Sequence, residues 1–254
     1  MPETFHGDFA SIDSLVFCPC EVLYEKADII VVIGGDGSII RASASAAVHD
    51  RPIIGINLGR LGYLAELELD ELDLLKAVFD GNYSLEKRMM LAFETLKPQR
   101  VDCVLNDIVL TSRGNTRRVV DLSLYITLPS TDDSEVYAGS FSGDGIIVST
   151  PTGSTAYALA AGGPIIAPSL DCIGITPICT HSLTARPMLF SADTRLRLEN
   201  TGRTDVNISA DGFGEYSLCP GESIKIQRSE HKVNMIRVRR SSFYEVLRRK
   251  MADR

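Results

Sequence analysis

Apolar positions along this chain fall into two textures. Between residues 29 and 80 they come as short continuous runs broken by glycine; from about 83 to 233 they alternate with polar positions. The first run, Ile29-Ile30-Val31-Val32-Ile33, stops at Gly34-Gly35-Asp36-Gly37. Five β-branched residues in succession predict a strand buried on both faces, as in a parallel sheet. The stretch Ser38 to Ala44 has helical composition, and Arg51 to Asn57 predicts the next parallel strand. That strand leads into a second glycine-rich turn, Leu58-Gly59-Arg60-Leu61-Gly62-Tyr63-Leu64. The acidic, leucine-rich segment Asp70 to Asp80 predicts a helix, with Gly81-Asn82 as its C-cap. Strand, helix, strand, turn and helix in this order define an α/β layer. Upstream, Leu15-Val16-Phe17 predicts a short strand or edge element.

In the second texture, alternating segments recur at short intervals: Met89 to Lys97, Cys103 to Leu110, Val119 to Leu128, Glu135 to Phe141, Arg195 to Leu198, Asp205 to Ser209 and Ser223 to Gln227. Turn residues such as Pro129-Ser130, Asp211-Gly212 and Pro220-Gly221 separate them. This pattern predicts an antiparallel, β-rich domain. Ser242 to Met251 predicts a closing amphipathic helix.

Composition narrows the class. A chain of 254 residues with 44% hydrophobic and 23% charged residues is that of a globular protein. No apolar run has membrane-spanning length, and Met1 to Phe9 lack the pattern of a secretory signal, so a cytoplasmic location is expected. A net charge of −7 argues against a nucleic-acid partner, which needs a basic surface, but is compatible with small anionic ligands. The six cysteines are scattered, and neither Cys18-Pro19-Cys20 nor the four histidines have metal-ligand spacing. No residue is therefore assigned to a metal.

Four polar clusters interrupt these patterns. Glycines after a strand let a ligand approach the backbone, and the following helix points its free N–H groups at the turn. Gly34-Gly35-Asp36-Gly37 is thus suited to phosphate. Asp36 is the anomaly in it, since a carboxylate beside phosphate is repulsive unless it binds metal, accepts a hydroxyl or acts as a base. The second cluster, Asn106-Asp107, is a common turn pair, yet it lies inside an apolar run, and an amide beside a carboxylate suits the hydroxyls of a ribose. The third, Thr150-Pro151-Thr152-Gly153-Ser154-Thr155-Ala156-Tyr157, joins a strand to small residues ending in Gly162-Gly163-Pro164. Here Ser154 or Thr155 is expected to N-cap a helix. The fourth, Ser209-Ala210-Asp211-Gly212, has the signature of a hairpin.

Taken in order, Gly-Gly-Asp-Gly after a strand, Leu105-Asn106-Asp107, Gly143-Asp144-Gly145 through Tyr157, His181-Ser182-Leu183-Thr184-Ala185-Arg186-Pro187 and Ala210-Asp211-Gly212 make the chain resemble bacterial NAD kinases. The resemblance runs from about Ala27 to the late 230s and includes Asn57 to Leu64, where the family usually has phenylalanine at the position of Tyr63. Gly-Gly-Asp-Gly alone is shared with lipid kinases, but the threonine-rich string is not. A non-catalytic dinucleotide sensor of the same fold remains the alternative from another class.

The resemblance implies a two-domain fold. Residues 1–88, completed by 234–254, would form an α/β domain with a parallel sheet that carries the phosphate turn, and residues 89–233 a β-rich NAD-binding domain. It implies ATP-dependent phosphorylation of the 2′-hydroxyl of the adenosine ribose of NAD, with a divalent metal (Mg²⁺ or Mn²⁺) and a homodimeric or homotetrameric assembly. Asp36 then corresponds to the catalytic base and Gly37 to its neighbour in the phosphate turn. Asn106 and Asp107 match the pair on the nicotinamide-side ribose. Tyr63, Arg117, Asp144, Thr152, Thr155, Ala156, Tyr157, Ala158, Leu159 and Ala160 match the dinucleotide-contacting positions, and Asp211 the aspartate near the reacting end. Ser142 and Phe213 depart from the family pattern, which commonly has a basic residue and glutamine there.

Overall fold

The computed structural model describes residues 1–2, 15–59, 62–96, 99–113, 119–129, 134–182, 185–239 and 242–252. The chain divides into two compact units, one made of Met1–Lys87 with Val233–Arg254 and the other of Arg88–Lys232.

The first unit is an α/β layer. Helix α1 (Cys20–Lys26) precedes β1 (Ile30–Ile33), which passes through Gly34-Gly35 into α2 (Asp36–Val48). Strand β2 (Ile53–Asn57) lies parallel to β1, in register from Ile30↔Ile53 to Ile33↔Ile56. The short strand β3 (Leu67–Glu68) and the end of the long strand Ser223–Arg237 also pair with β2 in parallel. Every residue of β2 is buried, and Ile54 and Ile56 pack with Leu67, Val78 and Ile236 into the core of the unit.

Two expectations are corrected here. The Ile29–Ile33 run is not buried on both faces: among the described residues β1 lies at the sheet edge, with Ile30 buried, Val31 43% exposed and Ile33 61% exposed. The buried parallel strand is β2. The segment from Asp70 to Asp80 is also not one helix. It begins as a 3-10 turn, Leu69–Leu74, closed by a reciprocal capping box between Glu68 and Glu71, and becomes helical only in α3 (Leu75–Phe79).

The second unit is antiparallel and β-rich. The chain enters it along β4 (Ser84–Leu96) and continues through β5 (Gln99–Val104), β6 (Asp107–Ser112), β7 (Val120–Thr127), β8 (Val136–Gly143) and β9 (Gly145–Ser149). After the short helix α4 (Tyr157–Ala160) come β10 (Cys172–Ile178), β11 (Met188–Ser191), β12 (Arg195–Asn200), β13 (Val206–Ala210) and β14 (Phe213–Leu218); the chain leaves along β15 (Ser223–Arg237). One sheet has the order β11-β10-β9-β6-β13-β14; β15, β12, β7 and β8 are consecutive in the other. Helix α5 (Phe243–Ala252) closes the chain in the first unit.

Alternation along the strands fills the core of the second unit from both sheets. Ile108, Leu110, Ile146, Val148, Ile173 and Ile208 of the first sheet meet Leu122, Leu124, Leu196, Leu198, Ile224 and Ile226 of the second. The intervening residues Val109 and Ile147 face the other way and pack with Ala158 and Ile178, which seats α4 against the outer face of β6 and β9. A side-chain period of two thus decides which residues build the core and which support the short helix.

Candidate active site

Strand pairing places three of the polar clusters at one end of the six-stranded sheet of the second unit. Asp107 opens β6 opposite Ser149 at the close of β9, and Ile108 lies opposite Ala210 at the close of β13. Because the strands are antiparallel, the loop before β6 and the loops after β9 and β13 emerge together.

Hydrogen bonds knit these loops into one body. The Asp211 carboxylate accepts three backbone N–H groups, from Leu105 (2.7 Å), Asn106 (2.7 Å) and Asp107 (3.1 Å). In return, the Asp211 amide donates to the Asp107 carbonyl at 2.9 Å. Asp211 and Gly212 have φ of 52° and 76°, as a two-residue hairpin turn requires, and aspartate tolerates that backbone better than most residues. On the other side, the Thr150 hydroxyl donates to the Leu105 carbonyl (2.5 Å) and accepts from the Gly153 amide (3.1 Å). The Thr150 amide donates to the Asn106 carbonyl at 2.8 Å. Gly153 sits so close to this backbone that a Cβ there would lie 2.1 Å from the Asn106 carbonyl oxygen. Arg88 donates to the buried Thr152 hydroxyl at 3.3 Å.

The expected helix N-cap is not formed. Ser154 donates to the Pro151 carbonyl and accepts from the Ile166 amide, while Thr155 donates back to the Thr152 carbonyl. Residues Gly153–Thr155 make a 3-10 turn, Ala156 has a non-helical backbone, and only Tyr157–Ala160 are α-helical. These hydroxyls bond carbonyls three residues earlier, a local pattern that competes with capping. Thr155, Ala156 and Leu159 are half-buried, Ala158 is buried, and Tyr157 and Ala160 are exposed.

Asp107 is 5% exposed, and its carboxyl is pushed up to about 7, first by burial and then by the negative charge of Asp211. Asp211 is also shifted upward by burial, which outweighs the opposing effect of the three amides. A carboxyl titrating near neutrality can donate or accept a hydrogen bond, which suits a hydroxyl or carboxamide partner.

Asp144 is not part of this assembly. It lies exposed before Gly145, at the opposite end of β9 from Ser149, five residues or roughly 17 Å away along an extended strand. Arg117 lies outside the described residues.

In the first unit, Asp36 is the first residue of α2, and Gly35 occupies the cap position. The carboxyl group therefore belongs to the helix rather than to the turn, and Gly37 is the second helical residue. In the first turn of α2 the Ser38 amide donates to the Gly35 carbonyl at 2.9 Å, whereas the amides before it precede the point where intrahelical bonding starts. The second glycine turn folds back onto this aspartate. The Tyr63 amide donates to Oδ2 at 2.7 Å and the Leu64 amide to Oδ1 at 3.1 Å. At Gly62 a Cβ would stand 2.0 Å from Oδ1, so any side chain there would displace the carboxylate. Among the described residues, no group of three or more His, Cys, Asp or Glu side chains is placed to hold a metal ion.

Ser154 reads from the sequence as a helix cap rather than a loop brace, and nothing in the pattern marks the contacts of Thr150, Gly153, Gly62 or Arg88. The glycines were visible within their turns, but what each one touches depends on segments distant in sequence.

Known proteins resemble this chain over most of its length. Residues 18–83 match the ATP-NAD kinase N-terminal domain and residues 105–238 the ATP-NAD kinase C-terminal domain. A NAD kinase of Thermoanaerobacter sp. (strain X514) is 38% identical over 237 residues, covering 91% of this chain and 81% of its own. One from Geobacter metallireducens (strain ATCC 53774 / DSM 7210 / GS-15) is 39% identical with the same coverage. Among solved structures, an NAD kinase from Archaeoglobus fulgidus in complex with ATP has a TM-score of 0.73 at 28% identity, over 98% of this chain and 93% of its own. Yeast NADH kinase complexed with NADH has a TM-score of 0.87 over 99% of this chain and 77% of its own; at 24% identity that likeness is one of fold. A two-unit kinase fold with a strand–turn–helix and a threonine-rich loop is the class defined here. The chain belongs to the NAD kinase family and is a kinase.

Proposed function

We propose that the chain phosphorylates the 2′-hydroxyl of the adenosine ribose of NAD, using ATP or another phosphoryl donor, with Asp36 as the general base. The observation that carries this reading is the Asp36 carboxylate, held by two amides at the start of a helix whose first turn suits phosphate. Phosphoryl transfer asks a protein mainly for positioning and charge stabilisation. Gly37 and its neighbours at the start of α2 hold the donor phosphates, and Asp36 takes the proton from the attacking hydroxyl.

In the same reading, residues 1–88 with 234–254 act as the phosphate-turn domain and 89–233 as the dinucleotide-binding domain. Asn106 and Asp107 hold the nicotinamide-side ribose. Thr152, Thr155, Ala156, Tyr157, Ala158, Leu159 and Ala160 line the dinucleotide, with Tyr63, Asp144 and Arg117 as further contacts. With both oxygens on backbone amides, Asp211 serves by shaping the Leu105–Asp107 loop. The reading includes a divalent cation, Mg²⁺ or Mn²⁺, for which the half-buried Asp36 carboxylate is an oxygen donor of the right chemistry. Bound mainly through the donor phosphates, such a cation would supply charge neutralisation to the transferred group. The enzyme acts on small molecules in the cytoplasm, as a homodimer or homotetramer. No helix of the described residues is long and apolar enough to cross a membrane.

The test is a coupled assay of purified protein with NAD, ATP and Mg²⁺ that reads NADP. Asp36→Asn keeps one acceptor for the amides, so folding and NAD binding should persist while turnover drops by at least about 100-fold. A near wild-type rate in that variant would remove Asp36 from the role of base. NAD binding without product in the unmodified protein would favour a sensor.

A further inference from the structure

The two amides that hold Asp36 are themselves braced from the C-terminal segment. Leu64 presents its N–H to Asp36 Oδ1 at 3.1 Å, while its carbonyl accepts a hydrogen bond from Arg237 Nη1 at 3.2 Å. The same Nη1 reaches Glu66 Oε2 at 3.0 Å, and Arg237 Nε reaches Glu86 Oε2 at 2.6 Å. Glu66 is 6% exposed, and its second oxygen accepts the amides of Val238 (2.9 Å) and Arg239 (2.8 Å). One guanidinium therefore grips the Leu64 carbonyl and two carboxylates, and one of those carboxylates is fixed to the backbone beside the guanidinium. A planar fork holds its donors in fixed directions toward these partners, whereas an ammonium on a flexible stem matches them with poorer geometry. From α5, Lys250 lies 4.2 Å from the centre of the Tyr63 ring, which adds a cation–π contact on the residue carrying the other amide.

We propose that Arg237, locked by Glu66 and Glu86, is a positioning residue for phosphoryl transfer: it sets the Tyr63–Leu64 backbone that aims the Asp36 carboxylate. This inference rests on Asp36 being the base. Arg237 acts at one remove, through the Leu64 peptide. The fit around the aspartate has little slack, as the space at Gly62 shows, so a small shift of the Tyr63–Leu64 peptide turns the carboxylate. Misplacements of about 1 Å at a reacting group can cost about 100-fold in rate.

The experiment is a double-mutant cycle on kcat with the full chain, using Arg237→Met, Arg237→Lys, Asp36→Asn and the two pairings. Arg237→Met should lower kcat about 10- to 100-fold while leaving KM for NAD and for ATP within about twofold; Arg237→Lys should recover part of the loss. In the Asp36→Asn background, Arg237→Met should have little further effect, because its contribution runs through the missing base. Multiplicative losses, or an unchanged kcat in both Arg237 variants, would overturn the proposal. Arg237→Met leaves Glu66 and Glu86 without their cation and can unfold the unit. Far-UV circular dichroism guards against that, and Arg237→Lys, which keeps the charge, carries the test alone if it does. Should Asp36→Asn itself keep its rate, the assignment of the base fails first, and the cycle shows that separately.

Discussion

The most searching structural prediction concerns Asp211, whose carboxylate gathers three consecutive amides from residues 105–107. Asp211→Ala leaves those three N–H groups without their acceptor. An unsatisfied buried donor costs about 1–3 kcal/mol, and three of them would cost about 3–9 if nothing relaxed. Burial of the carboxylate, which raises its pKa, offsets part of this, and water can reach a loop next to a half-exposed turn. Alanine at a φ of 52° adds about 1–2 kcal/mol. The expected net loss is about 3–5 kcal/mol, a large share of the roughly 5–15 that stabilises a typical domain. Asp211→Asn tolerates the same backbone and keeps the oxygen that serves Asn106 and Asp107, but turns an NH₂ toward the Leu105 amide; about 1–2 kcal/mol is expected. The chain has no tryptophan, so urea unfolding is followed by far-UV circular dichroism at pH 7.5. An alanine variant within about 0.5 kcal/mol of the parent, or an asparagine variant less stable than the alanine one, would refute the claim that these amides need the Asp211 carboxylate.

Two further outcomes follow from the same loops. Gly153→Ala forces a methyl to within 2.1 Å of the Asn106 carbonyl oxygen, so it should cost about 1–3 kcal/mol by urea unfolding and raise KM for NAD, whereas a neutral result would mean that the loop yields freely. Asp107 holds its proton up to about pH 7 in the folded chain and releases it near 4 when unfolded, so its contribution to stability falls as pH rises between those values, by at most about 1.4 kcal/mol per pH unit. Asp107→Asn should flatten that fall and be the more stable protein at pH 8 by about 2–4 kcal/mol, and parallel pH–stability curves for the two proteins would contradict it.

Local chemistry was legible in the sequence; reach was not. The strand, glycine pair and helix around Asp36 follow from β-branched residues meeting glycine, and the Asp211-Gly212 hairpin follows from its turn pair between alternating segments. A run of β-branched residues says that a strand forms but not where it lies in a sheet, so Ile29–Ile33 reads as an interior strand while, among the described residues, β1 lies at the edge. The hydroxyls of Ser154 and Thr155 were expected to cap a helix ahead of them, and instead bond carbonyls behind them. Asp36 looked like an acid inside a phosphate turn because the amides that receive it come from residues 27 and 28 positions later. Asp211 likewise reaches back more than 100 residues. Such pairings are set by strand register and chain reversal, which no short-range pattern records.

Both units hold an aspartate in the same way. Asp36 receives the amides of Tyr63 and Leu64; Asp211 receives those of Leu105, Asn106 and Asp107. Backbone donors give a carboxylate a fixed direction without the entropy cost of ordering a second side chain, and they stay in place while charge moves nearby. The arrangement demands close approach, and glycine provides room beside each cluster, Gly62 against Asp36 and Gly153 against Asn106. The two aspartates differ in what remains free. Asp211 spends its oxygens on three amides of one loop and so acts on the shape of the Asn106-Asp107 segment. Among the described residues Asp36 meets two amides, one on each oxygen, and each oxygen keeps capacity for another partner, as a proton acceptor must. A mechanism that depends on the aim of Asp36 is therefore most exposed at groups that carry no chemistry of their own: the Gly62 Cα, which leaves the space, and the Leu64 carbonyl, which Arg237 holds.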